Sequence, residues 1–192
     1  MEKIILASSS PRRRQLLNLF EIPFDVKKPL CDETFTEKDL EKVPEILASR
    51  KVHSILQNYD FSERFVIGAD TAIVLENKFY GKPKDIQEAR TFLKEFSGRT
   101  QSVITGIAVA NASTKKIIQR SCRTEVEFKK LSESDIEWYL STNEWQDAAG
   151  GYKIQEKGSA LIKRIIGNFD TVVGLPMFEI YDILTEQGYS FV

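Results

Sequence analysis

Residues 3–17, KIILASSSPRRRQLL, set the reading of the rest of the chain. A short apolar run stops at three serines, and a helix follows from Pro11. Residues 3–7 fit a buried strand. Ser10 is placed to cap the helix, and Pro11 takes the first helical position, where a missing N–H does no harm. Leu16, Leu17 and Phe20 supply the helix's apolar face. The charge pattern runs against expectation. Arg12, Arg13 and Arg14 fall in the first turn, where the macrodipole disfavours each exposed cation by ~0.3–1 kcal/mol. A bound anion reverses that balance. A helix N-terminus favours phosphate, guanidinium forks match its oxygens, and Ser8, Ser9 and Ser10 add hydroxyl and backbone donors. The plainer alternative is a capped helix with solvated arginines.

Outward from this start, residues 22–28 (IPFDVKK) read as a second strand and 31–39 (CDETFTEKD) as an acidic loop. Pro44 opens a helix over 44–58, with Leu47, Ala48, Val52 and Ile55 on one side. Residues 65–80 read as a strand, an interruption and a hairpin around Glu76-Asn77-Lys78. GKPKD (81–85) turns into a helix that Gly98 ends. Residues 101–110 and 116–129 suggest a long antiparallel pair joined at 111–114, the second arm alternating apolar and polar side chains. A helix over 133–141, a glycine turn within 149–158, a strand in ALIKRIIG, a loop FDTVVGLP and a closing helix over 176–187 complete the chain. About five helices and six or seven strands make an α/β or α+β fold with a mixed sheet.

A chain of 192 residues with 42% hydrophobic content can bury a proper core, as one domain of one to two lobes spanning 1–192. Its net charge of -1 provides no general basic excess, so no nucleic-acid partner is expected. Cys31 and Cys122 stand apart with no CxxC, which suits a reducing compartment. The N-terminus lacks the order of a signal peptide, and no stretch is long enough to span a bilayer. These features describe a soluble, cytoplasmic protein without a membrane partner.

The available side chains narrow the chemistry. The single histidine, His53, lies in a helix with no nucleophile placed beside it, which argues against a serine or cysteine relay. One histidine and two distant cysteines do not suit a structural zinc site. There is no GxGxxG after the first strand, and GKP at 81–83 is not a P-loop. Carboxylates, lysines and arginines remain, a set suited to oxygen-bound Mg²⁺ and phosphate.

Asp70 follows Gly68 where the apolar run stops. At a strand end it would bind Mg²⁺ or accept a proton; otherwise it caps a turn. Glu33 lies on the acidic loop, as a ligand or a solvated side chain. Lys51 sits within an apolar helical stripe, so it either snorkels to solvent or points into a cleft. Lys82, between a glycine and a proline, offers phosphate a point charge on a stiff turn. In EWQDAAGGYKIQ (144–155), Gly150-Gly151 allow backbone approach to a ligand or a tight turn. There Tyr152 can stack on a base, and Gln155 can read a base edge. The alternative for that segment is a loop around a packed aromatic.

Taken together, LASSSPRRRQLL, GADT, GKP, VITGIAV, EWQDAAGGYKIQ and TVVGLP resemble the Maf family of nucleotide pyrophosphatases, in order along almost the whole chain. That resemblance implies a two-lobed α/β fold shared with inosine triphosphate pyrophosphatases, with the active site in a cleft between lobes. It implies hydrolysis of a nucleoside triphosphate to the monophosphate and pyrophosphate with a divalent metal, Mg²⁺ or Mn²⁺. Asp70, Glu33 and Lys82 would be catalytic, with Asp70 and Glu33 on the metal. Ser8, Ser10, Arg12, Arg13, Lys51, Thr71 and Gln155 would bind substrate. Arg12, Thr71 and Gln155 match the branch acting on dTTP and UTP rather than the 7-methyl-GTP branch. Glu156 stands where the family often has glycine. The resemblance also implies a possible homodimer, and it carries a second reading: a nucleotide-binding regulator of septum formation with little turnover.

Overall fold

The computed structural model describes residues 3–58 and 65–191. Its strands are β1 (Ile4–Ala7), β2 (Phe24–Lys27), β3 (Phe65–Leu75), β4 (Lys78–Tyr80), β5 (Thr100–Asn111), β6 (Lys116–Phe128) and β7 (Ile162–Ile166). Its α-helices are α1 (Pro11–Asn18), α2 (Val43–Asn58), α3 (Ile86–Phe96), α4 (Glu133–Ser141), α5 (Phe169–Val173) and α6 (Met177–Glu186). Two 3₁₀ turns, Ala149–Gly151 and Lys157–Leu161, fill the expected glycine turn. Seven strands form one sheet in the order β2-β1-β3-β5-β6-β7, with β4 paired to β3. Strands β2 and β3 run parallel to β1, whereas β4 and β7 run antiparallel to β3 and β6. The expected mixed α/β architecture is present.

The local signals explain most boundaries. The β3–β4 hairpin turns on Glu76 and Asn77, whose φ angles of 48° and 61° make the primed turn that strand twist favours. At the β5–β6 connection the Asn111 side chain accepts from the amides of Ser113 (3.0 Å) and Thr114 (3.2 Å). Helix α4 begins at a reciprocal capping box between Ser132 and Asp135.

Two expectations about where strands and helices run fail. Strand β3 runs unbroken through Gly68 and Asp70, so Asp70 lies inside a strand and not at its end. Strand β3 lies between β1, to which it pairs as far as Gly68, and β5, and this pairing outweighs the poor strand propensity of glycine and aspartate. FDTVVGLP is not all loop, because Phe169–Val173 is a short helix. Its Thr171 is buried, and Val172 and Val173 pack on a core cluster, so tertiary contact holds five residues that would not be helical alone.

The chain divides into two compact units. The first takes Met1–Asp70, Thr105–Cys122 and Gly174–Val192. Its strands alternate faces. Ile4, Leu6, Ile67, Ala69, Ile107 and Val109 pack with Leu17 of α1 and with Ile180, Ile183 and Leu184 of α6. Ile5, Ala7, Val66, Ala108 and Ala110 pack with Ala48, Val52 and Ile55 of α2. The second unit, Thr71–Ile104 and Arg123–Val173, has one core. There Phe96, Phe128 and Tyr152 meet edge-on or tilted, with Leu93, Tyr139 and Leu140 around them.

Candidate active site

In the first unit, two glycines bring α2 down onto the sheet. A Cβ on Gly68 would stand 2.5 Å from the Ala48 carbonyl oxygen and 2.7 Å from Val52 Cγ2. A Cβ on Gly106 would stand 2.1 Å from the Glu45 amide nitrogen. Helix α2 therefore lies where side chains would otherwise hold it away. Asp70 lies two residues beyond Gly68 on the same face of β3, past the last paired residue of β1, Ala7. That approach delivers Lys51 to it. Lys51 Nζ lies 2.5 Å from Asp70 Oδ1 and 3.0 Å from Glu33 Oε1. Lys51 does not snorkel: its side chain is only 8% exposed, against 14% for Asp70 and 62% for Glu33. The structure thus gathers three predicted residues around one ammonium. Substituting Gly68→Ala should force α2 off β3, an overpacking loss of ~1–3 kcal/mol in urea unfolding. It should also lower turnover by separating Lys51 from Asp70; unchanged stability would show that the helix yields freely.

The serine turn lies in the same unit. Ser8 is buried, and its Oγ accepts from the Ser10 amide (3.1 Å) and from Arg13 Nη1 (3.4 Å). A hydroxyl whose oxygen already accepts twice has its proton left to donate, which suits an anion. Ser10 occupies the cap position with extended backbone (φ -69°, ψ 120°), yet its side chain does not bond a helix amide, contrary to the expected cap. Arg13 also donates from Nε to the Gly174 carbonyl at 2.8 Å. Burial lowers the Arg13 pKa, with Arg12 adding to the effect and Asp70 and Glu33 opposing it. Arg12 is half-buried, whereas Arg14 is exposed. The Gly174 partner was not foreseen; its signal is the glycine of TVVGLP, which has φ +113°.

The predicted residues of the second unit form another group. The Gly150 amide donates to the Gly81 carbonyl at 2.9 Å, tying AGGY to GKP. A Cβ on Gly150 would meet Ile73 Cδ1 at 2.4 Å, at a φ of +67°. Lys82 is exposed and lies 3.4 Å from Asp147 Oδ1. Tyr152 cannot stack on a base, because its ring is buried and its phenol oxygen accepts from Gln101 Nε2 at 2.8 Å. Burial pushes its pKa up, against the lowering effect of that bond. Gln155 keeps a buried Nε2 with no hydrogen-bond partner, an orphaned donor in the position expected to read a base. Thr71 follows Asp70 in β3 and so points to the opposite face of the strand.

The Maf-like protein family model matches residues 3–187. The chain belongs to the Maf family. This Maf-like protein is 42% identical to a dTTP/UTP pyrophosphatase of Thermotoga maritima over 187 residues, covering 97% of this chain and 90% of that one. It is 44% identical to a dTTP/UTP pyrophosphatase of Clostridioides difficile over 182 residues, covering 94% and 93%. A solved nucleoside-triphosphatase / dITP/XTP pyrophosphatase of Mycobacterium abscessus covers 66% of this Maf-like protein and 74% of its own chain, at 13% identity and a TM-score of 0.42.

Among the described residues no group of three or more His, Cys, Asp or Glu converges as a metal site. The donor set still fits Mg²⁺ or Mn²⁺. These ions take oxygen ligands, often only one or two carboxylates with substrate phosphates and water. Glu33 and Asp70 reach one common point, the position Lys51 Nζ holds. Burial raises the thiol pKa of Cys31, two residues before Glu33, despite the opposing charge of Lys51. No helix among the described residues is long and apolar enough to cross a membrane.

Proposed function

We propose that this chain hydrolyses dTTP and UTP to the monophosphate and pyrophosphate, clearing nucleotides from the pool that feeds polymerases. The observation that supports this most is the buried Lys51 ammonium bridging Glu33 and Asp70, in the unit that also holds the serine turn. The names of the relatives at 42–44% identity point the same way.

In this reading Glu33 and Asp70 hold Mg²⁺ or Mn²⁺, which when bound supplies a water of lowered pKa and neutralises phosphate charge. Asp70, little exposed, accepts a proton from the water that attacks the α-phosphorus, and pyrophosphate leaves. Ser8 donates its hydroxyl proton to a phosphate oxygen, and Ser10 adds a second hydroxyl. Arg12 and Arg13 complement the triphosphate at the start of α1. Lys51 and Lys82 act as point charges as negative charge shifts toward the leaving group. Gln155 reads the pyrimidine edge with its orphaned amide, and Thr71 adds a hydroxyl to that selection. Residues 1–192 act as a single domain, because β3, β5 and β6 each contribute to both units. The enzyme works on the cytoplasmic nucleotide pool.

The test is pyrophosphate release from a panel of triphosphates with Mn²⁺ or Mg²⁺. Turnover highest on dTTP and UTP is the expected result. Tight nucleotide binding with no turnover on any of them would favour a binding regulator of cell division instead.

A further inference from the structure

We infer that Lys51 is a built-in counter-cation for Glu33 and Asp70, so that a divalent cation enters this pair only together with a nucleotide whose phosphate oxygens receive the ammonium. This rests on the reading that Glu33 and Asp70 hold the metal. The geometry carries it. The ammonium sits 2.5 Å from one carboxylate and 3.0 Å from the other, where a shared ion would sit. Arg13 adds positive charge in the same surroundings, since both Asp70 and Glu33 oppose the lowering of its pKa. The paired ammonium thus offsets part of the carboxylates' charge. A bare divalent ion meets reduced net attraction there and must compete with that ammonium for the same oxygens.

Nor can the ammonium leave easily for solvent. Lys51 lies on the α2 face that also carries Leu47, Ala48, Val52 and Ile55, all buried. Its close approach is fixed by the contact of α2 with Gly68. The four-carbon stem allows a short swing of the charge, but the site must supply another anion to receive it. A triphosphate does so and brings enough negative charge to make room for the divalent ion. Metal and nucleotide then bind with mutual enhancement, which linkage requires to be equal in both directions.

The test measures Mn²⁺ binding to the nucleotide-free full chain, by the electron paramagnetic resonance of free Mn²⁺ and by the Mn²⁺-dependent shift in Tm. Wild type is expected to bind Mn²⁺ weakly, and more tightly when a non-hydrolysable α,β-imido dTTP is present. Lys51→Met removes the competing charge at similar length. It should bind Mn²⁺ on the order of tenfold or more tightly than wild type without nucleotide, with a larger rise in Tm. Lys51→Gln gives the same reading should the Met variant fail to fold, and Lys51→Arg, which keeps a cation, should stay weak. Tight Mn²⁺ binding by nucleotide-free wild type, or no gain in either neutral variant, overturns the inference. A gain that survives addition of Asp70→Asn to Lys51→Met places the ion elsewhere. That outcome overturns the underlying metal assignment as well, and so separates the two failures.

Discussion

Asp70→Asn is expected to lower kcat for pyrophosphate release from dTTP by about 10²–10⁴-fold, the range for losing a positioned general base. Asparagine keeps the shape of the side chain and can still accept a hydrogen bond from Lys51, so the geometry around the ammonium should survive. What disappears is the negative charge, and with it the ability to take a proton or hold a metal firmly. The comparison with Glu33→Gln sharpens the result. Glu33 is 62% exposed and Asp70 14%, so water screens Glu33 far more effectively. The Glu33 variant should lose less activity than the Asp70 variant. A coupled pyrophosphate assay at saturating dTTP, with Tm measured beside it, checks both. Near wild-type release from Asp70→Asn in a folded protein would remove Asp70 from the chemistry.

Asp70 also shows where sequence reasoning reaches its limit. Its identity as a candidate was legible, because a carboxylate directly after an apolar run and a glycine is unusual. Its setting was not. Asp70 looked like the end of a strand, whereas β3 continues and the missing side chain of Gly68 admits α2, through contacts with Ala48 and Val52 far back in the sequence. Lys51 shows the same division. The spacing of Leu47, Lys51 and Ile55 put the lysine on the buried stripe of α2, so its face was readable. Whether the ammonium turned to solvent depended on Glu33 and Asp70, which local periodicity cannot bring into view. In the second unit Gly150-Gly151 was read as allowing backbone approach to a ligand or a tight turn, and their φ angles of +67° and +70° in a 3₁₀ turn show the tight turn. For Tyr152 the sequence left base stacking and a packed aromatic both open, and the structure takes the second, because an aromatic beside polar residues carries no local sign of whether its ring belongs to the core. Helix α5 was missed for a related reason: five residues rich in β-branching have little helical preference, and packing of Thr171, Val172 and Val173 decides their shape.

The three arginines beside the serine turn yield the second large effect, because the structure treats them unequally. Arg13→Lys should lower kcat/KM for dTTP by about 10²-fold or more, as expected when a positioned donor to a reacting phosphate is lost. The guanidinium joins three parts of its unit: Nε holds the Gly174 carbonyl at 2.8 Å, Nη1 reaches Ser8 Oγ, and its charge is coupled to Asp70 and Glu33. A lysine keeps the positive charge but has no planar fork, so it cannot bond Gly174 and Ser8 together and still face a phosphate. Loss of those bonds should also reduce stability by ~1–3 kcal/mol, since the Gly174 carbonyl loses its charged donor. Arg14→Ala supplies the contrast. Arg14 is exposed, so its removal should change kcat/KM by no more than about twofold, the effect of ~0.5 kcal/mol at a surface position. Steady-state kinetics and urea unfolding on both variants separate the cases. Equal losses at positions 13 and 14 would mean that the turn attracts its anion through net charge alone. A loss confined to Arg13 would mean that donor geometry, which Ser8 and Gly174 hold in place, governs phosphate binding there.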